Sequence, residues 1–317
     1  MSNSRIIKIA SRTSKLALWQ TELVKARLEA HGHTCQILEI ESTGDVQLTQ
    51  PIYAMGISGV FTKQLDAALL NKQADIAVHS LKDVPTQLAQ GLIIAAVLER
   101  GPSEDLVIIK NKSKFEDTSS AAIIASGSLR RRGQWLAKYP NHQMVGIRGN
   151  VQTRLRKFAE SDEMDAIIFA KAGLERLGLM PDNSEVLHWM LPAPAQGIIG
   201  IACLEEDGEM KEILAAINHQ RTFIAATVER QFMQTMMGGC SVPISALAQV
   251  NGSELEFKGA MHAFDGQRAF EVNRVMLVSE FTDAGKICAN KLLQQPGAAA
   301  LIEEIRNKNW DEKSVVN

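Results

Sequence analysis

The chain has 317 residues, 45% of them apolar, a formal net charge of −2 and four cysteines. That length and apolar content suit a globular protein of two or three domains, and the near-neutral charge gives no overall electrostatic case for nucleic acid. No apolar run approaches the roughly 18 residues needed to cross a bilayer, and the polar stretch 1–11 is too short for a secretory signal, so a cytoplasmic location is expected.

Segments 5–11 and 34–42 read as strands on either side of a helix. Ser14 is placed to cap that helix, Leu16, Trp19, Leu23 and Ala26 form one stripe, and Gly32 stops it. A helix is predicted over 61–71 with Phe61, Leu65, Ala68 and Leu69 inward, then a short buried strand over 75–80. Strands follow at 105–110, 121–126, 144–148 and 165–170, with helices at about 129–139, 151–160 and 172–178. This βαβα alternation implies parallel or mixed sheets with helices on both faces. Crossovers between domains are expected near 100–104 (RGPSE) and 191–197 (LPAPAQG). The remainder reads as a helix at 222–237 with Ile224, Val228, Phe232 and Met236 on one stripe, then strands at 243–250, 254–262 and 269–278, then two helices, which together make a small α+β domain.

Charge is less even than its total. Between Ala125 and Ala159 there are eight Lys or Arg and no Asp or Glu. Ser128 reads as a helix cap with Arg130, Arg131 and Arg132 in the first turn, and Asn150 as another, with Arg148 before it and Arg154 just inside. Arg12 and Lys15 flank the Ser14 cap in the same way. The helix macrodipole disfavours cations there by about 0.3–1 kcal/mol each. Free N–H groups and guanidinium forks converging on one point form an anion site instead, although a solvated basic face has the same local pattern. Arg132, Arg156 and Lys157 are read as plain surface charges.

Two further features bear on chemistry. His79-Ser80-Leu81-Lys82-Asp83-Val84-Pro85 follows a buried strand, so Lys82 and Asp83 reach the same cleft edge, where the cation keeps the carboxylate ionised. A loop ion pair is the alternative, and His79 is read as a packed residue. Gly238-Gly239-Cys240 suits a projecting, modifiable thiol or a helix stop before a buried cysteine. Cys35, Cys203 and Cys288 read as small buried hydrophobes. With no CxxC pair and no histidine at ligand spacing, neither a zinc site nor any other metal is expected.

Six stretches carry a resemblance over nearly the whole chain: IASRTSKLALWQ (9–20), ADIAVHSLKDVP (74–85), ASGSLRRRGQ (125–134), IRGNVQTRL (147–155), PAQGIIGIAC (194–203) and GGCSVPI (238–244). The chain resembles the porphobilinogen deaminase (hydroxymethylbilane synthase) family. The resemblance implies two α/β lobes like those of periplasmic binding proteins, 1–100 plus 198–218 and 101–197, and a smaller α+β C-terminal domain, 219–317, carrying the cysteine. It implies a monomeric transferase of tetrapyrrole (haem) biosynthesis, without nucleic-acid or membrane partners. Four porphobilinogen molecules would be joined head to tail with loss of ammonia, on a dipyrromethane cofactor bound through a thioether at Cys240.

By the same match Asp83 is the catalytic carboxylate, hydrogen-bonding pyrrole N–H groups and opposing the azafulvenium cation left when ammonia departs. Lys82, Ser128, Arg130 and Arg131 join it in holding the cofactor. Arg12, Ser14, Arg148, Arg154 and Arg176 bind substrate carboxylates, with Phe61 against a pyrrole ring and Gln196 near a hinge. One departure is visible. The family's loop ahead of this phenylalanine carries lysine, in patterns such as GGKGLF, whereas 55–61 here reads MGISGVF, so no loop lysine is carried over. A non-catalytic two-lobed anion binder and a transferase using Cys240 as an ordinary nucleophile are the competing readings.

Overall fold

The computed structural model describes residues 5–41, 62–110, 112–116, 119–236 and 243–307. Phe61, the 55–60 loop and the Gly238-Gly239-Cys240 segment lie outside the described residues.

The first sheet contains β1 (Ile6–Arg12), β2 (Thr34–Ile40), β3 (Ile76–Ser80), β4 (Leu92–Val97) and β10 (Ile199–Leu204), in the order β2-β1-β3-β10-β4. β1 runs parallel to β2 and β3, while β10 lies antiparallel between β3 and β4. Alternating side chains serve two cores. Ile76 and Val78 of β3 pack with Val24 and Leu28 of α1 (Lys15–Ala30), and with Met210 and Leu214 of α7 (Gly208–Ala215). Ala77 faces the other way, with Leu65 and Leu69 of α2 (Lys63–Leu70).

The second sheet repeats the plan: β5 (Asp105–Ile109), β6 (Ile123–Ala125), β7 (Gln143–Val145), β8 (Ala166–Ala170) and β9 (Ser184–Val186), ordered β7-β6-β8-β5-β9. β6 is parallel to β7 and β8, and β5 is antiparallel to β8 and β9. Its helices are α3 (Lys112–Glu116), α4 (Leu129–Lys138), α5 (Val151–Glu160) and α6 (Lys171–Arg176). The third unit sets α8 (Gln220–Met236), α9 (Phe281–Leu293) and α10 (Ala298–Asn307) around the antiparallel sheet β11 (Ile244–Asn251), β12 (Glu254–His262) and β13 (Ala269–Leu277). The chain is therefore mixed α/β in two sheets with a smaller α+β unit, as the alternation predicts.

One predicted face is corrected. In α1 the buried residues are Ala17, Gln20, Thr21, Val24 and Leu28, and Trp19 is 39% exposed. The helix turns polar groups inward because partners await them. Gln20 Nε2 donates to Ser80 Oγ at 2.9 Å, and Thr21 Oγ1 donates to Ala17 O at 2.9 Å. Apolar spacing alone cannot register a helix face satisfied by hydrogen bonds. The stripe Ile224, Val228, Phe232 and Met236 on α8 is buried as predicted.

The two crossovers lie side by side. Gly101 N donates to Gly197 O at 3.1 Å, and a Cβ at Gly197 (φ +85) would stand 2.6 Å from Pro102 O. Glu229 of α8, fully buried, fastens both. It pairs with Arg100 at 2.5 Å and accepts from Ala195 N at 2.6 Å and from Ala248 N of β11 at 2.7 Å.

Candidate active site

In both large sheets the central parallel strands bring loops together where strand order reverses, around β1 and β6. Carboxyl-terminal strand ends at such a reversal are where α/β sheets bind ligands. Arg12 ends β1 and Ser14 caps α1, accepting from Ala17 N at 3.3 Å. Ser128 follows β6 and caps α4, accepting from Arg131 N at 3.5 Å. Asn150 caps α5, placing Arg148 just before that helix and Arg154 within it. Lys82 and Asp83 form a single 3-10 turn, Leu81–Asp83, directly after β3.

The second lobe's arginines are organised by a residue that sequence patterning did not single out. Asp105, fully buried at the start of β5, accepts from Arg131 Nη2 at 2.8 Å and Nε at 3.2 Å, and pairs with Arg130 at 2.7 Å. Burial alone would raise its pKa, but the two guanidinium groups outweigh burial and hold it well below the usual carboxylate range. Arg130 also donates to Leu191 O at 2.8 Å and Arg131 to Ile168 O at 2.9 Å. Gln196, in the second crossover, donates to Asp105 Oδ1 at 2.9 Å and accepts from Lys82 Nζ at 3.2 Å, so it bridges the lobes. The available signal for Asp105 was an acidic residue opening the otherwise apolar run DLVII just after a crossover.

Cations outnumber anions here. Lys82 is within electrostatic reach of Asp83, Arg131, Asp105 and Arg130, and Arg154 is within reach of Arg131, Asp83 and Arg148. Five cations thus face two carboxylates among the described residues. Desolvation lowers the Lys82 ammonium to about 8, Asp83 working against that shift. Desolvation and then Arg131 lower Arg154 to about 10. Arg154 lies over the Phe169 ring at 4.8 Å.

Arg176 stands apart from this group. Its Nη2 donates to Gly197 O at 2.7 Å, and its guanidinium lies 5.6 Å from the Trp19 ring, at the crossovers. Two of the three charges read as plain surface are not so. Arg132 donates to Phe264 O at 3.3 Å and to Met144 O at 3.1 Å, tying α4 to the third unit, and Lys157 donates to Arg148 O at 3.2 Å. Arg156 is the surface charge expected, paired with Glu160 at 3.0 Å. His79 is buried and lowered to about 4 by desolvation, then by Arg12 and Arg230, so it is a neutral packing residue at neutral pH.

Two mixed α/β lobes whose strand ends converge on a cation-rich cleft define a binder of small polyanions, and the α+β unit fastened to both crossovers adds a third part to that plan. Residues 7–212 match "Porphobilinogen deaminase, dipyromethane cofactor binding domain", and residues 223–294 match "Porphobilinogen deaminase, C-terminal domain". The chain is 40% identical to a porphobilinogen deaminase of Syntrophomonas wolfei, over 94% of this chain and 99% of that one. It is also 40% identical to one of Geobacter metallireducens, over 98% of each. Among solved structures it is similar to a YaeC-family lipoprotein from Enterococcus faecalis at 14% identity, covering 68% of this chain and 92% of that one with a TM-score of 0.41. The chain belongs to the porphobilinogen deaminase family.

A dipyrromethane group bears acetate and propionate side chains, and the cleft fits such a group on its own chemistry. Arg130 Nε and Arg154 Nε are buried and carry no hydrogen bond to a described residue. Buried donors on surplus cations are what carboxylates satisfy. No helix among the described residues is long and apolar enough to cross a membrane.

Proposed function

We propose that the protein condenses four porphobilinogen molecules head to tail into the linear tetrapyrrole hydroxymethylbilane, releasing one ammonia per addition. The observation that carries this reading is the surplus of cations around Asp83 and Asp105, with buried guanidinium donors left over. A dipyrromethane group, thioether-bound at Cys240, supplies the pyrrole end from which the chain grows.

Lys82, Ser128, Arg130 and Arg131 hold that group's carboxylates, with Asp105 keeping the two arginines aimed. Arg12, Ser14, Arg148 and Arg154 take the carboxylates of incoming and growing rings, and Arg176 takes them nearer the crossovers. Phe61 packs against a ring. Gln196 couples Lys82 to Asp105 across the hinge. Asp83 accepts pyrrole N–H hydrogen bonds and opposes the positive charge that develops on substrate as ammonia leaves. A carboxylate about 4 Å from a unit charge contributes roughly 4 kcal/mol at an effective dielectric near 20. The working unit is a cytoplasmic monomer with no nucleic-acid or membrane partner. Its domains are 1–100 plus 198–218, 101–197 and 219–317, and β10 in the first sheet supports the discontinuous first domain.

Intact-mass measurement of the purified protein tests the tether, with an adduct of two condensed porphobilinogen units expected at Cys240 and a bare thiol counting against it. Asp83→Ala tests the chemistry. Ammonia release should fall by orders of magnitude with the fold intact, and near-normal turnover would defeat the assignment.

A further inference from the structure

Arg230 lies on α8, next to Glu229, and its side chain reaches out of the third unit into the first lobe. Its Nη1 donates to Val84 O at 3.0 Å and its Nη2 to Pro85 O at 2.7 Å. These carbonyls belong to the two residues that follow Asp83. We propose that Arg230 is a positioning residue for Asp83, holding its turn from behind and making the aim of the carboxylate depend on the docking of α8. The proposal rests on the reading of Asp83 as the catalytic carboxylate.

The turn itself is weakly built. A single 3-10 turn has little internal bonding, here Val84 N to Leu81 O at 3.2 Å, and Pro85 has no N–H with which to extend it. Its entry is fixed from β10's side, where Leu81 N donates to Ile198 O at 3.0 Å. Its exit is fixed by Arg230. Apolar contacts act on the same two ends: Leu81 and Val84, each about 1% exposed, pack in one cluster with Ala195, Ile198 and Ala226 of α8. Lys82 and Asp83 are thus the two residues between the clamped ends, and they are left pointing to the cleft. A planar guanidinium fork suits two adjacent carbonyls, whereas an ammonium is a single point donor.

The test compares Arg230→Met and Arg230→Lys in the cofactor-loaded enzyme, each in the native and the Asp83→Glu background. If Arg230 aims Asp83, Arg230→Met lowers kcat by about 10–100-fold, the scale of an ångström-size misplacement. KM stays within about 2-fold, and the intact mass still shows the full adduct. Arg230→Lys, which keeps the charge, falls between. Once Asp83→Glu has moved the carboxylate, loss of Arg230 costs less than about 3-fold further. An equal loss in both backgrounds, or an unchanged kcat in the native one, overturns the proposal. Normal turnover by Asp83→Ala would instead defeat the reading of Asp83 on which it stands.

Discussion

Asp105→Asn isolates the electrostatic keystone of the second lobe. The substitution keeps side-chain volume but removes the buried carboxylate that, among the described residues, faces Arg130 at 2.7 Å and Arg131 at 2.8 Å. It also presents an amide NH2 to a wall of donors, since Gln196 Nε2 already points at the same oxygen from 2.9 Å. Breaking a buried pair while leaving its partners charged costs about 3–5 kcal/mol. Two stranded guanidinium groups place this site toward the upper end of that range. Urea denaturation of the cofactor-free enzyme measures it, with fluorescence of Trp135, fully buried in the same lobe, as the local reporter. The loss should shrink in the cofactor-loaded enzyme, whose carboxylates restore counter-charge. A cofactor-free loss below about 1 kcal/mol would refute the idea that Asp105 is what makes two buried arginines tolerable.

Lys82 separates activity from stability along the pH axis. Burial lowers it to about 8 from 10.5, so its grip on the cofactor's carboxylates, and turnover with it, should weaken as pH rises through about 8 and the ammonium discharges. Stability of the cofactor-free form should rise over the same interval, because between about 8 and 10.5 the unfolded chain binds the proton that the folded one has released. Thermal melts against pH, repeated on Lys82→Met, should lose that rise. Arg154→Met should leave the cofactor-free enzyme at least as stable, since it removes a cation disfavoured by burial and by Arg131, yet product analysis by mass should show stalled elongation. At Gly133 an added Cβ would lie 2.7 Å from Ala263 O and 2.8 Å from His262 Cβ, so Gly133→Ala should cost about 1–3 kcal/mol by forcing α4 off β12. Gly208→Ala, with nothing within 4 Å, is its control and should change stability by less than about 0.5 kcal/mol.

Much of this was legible in the sequence where one local rule decides the outcome. Ser14, Ser128 and Asn150 cap helices as their residue types require, and of the arginines at the wrong ends of those helices Arg130, Arg131, Arg148 and Arg154 fall within electrostatic reach of Lys82 or of one another. What was not legible depends on distant partners. β10, just past the 191–197 crossover, is not among the strands read from local pattern, because its pairing strands lie more than a hundred residues away. The inward face of α1 is set by Ser80, whose place beside Gln20 no helical period reveals. Arg132 looks like one more surface charge until the carbonyl of Phe264, from another unit, is brought to it. Arg230 and Asp105 have the same character, being ordinary charges in the chain whose meaning comes from the backbone or counter-ion the fold delivers.

The return of the chain into the first sheet has a consequence for synthesis. β10 separates β3 from β4 and is entered through Ile198, whose carbonyl holds the start of the Asp83 turn. All of β5 through β9 is translated before β10 emerges, so the second lobe has every strand of its sheet while the first still lacks an interior strand. Folding on the ribosome therefore favours the later segment first, against the usual N-to-C order of domains. A nascent chain acquires its basic pocket before its Asp83 turn, and the turn is secured from behind only when α8 follows.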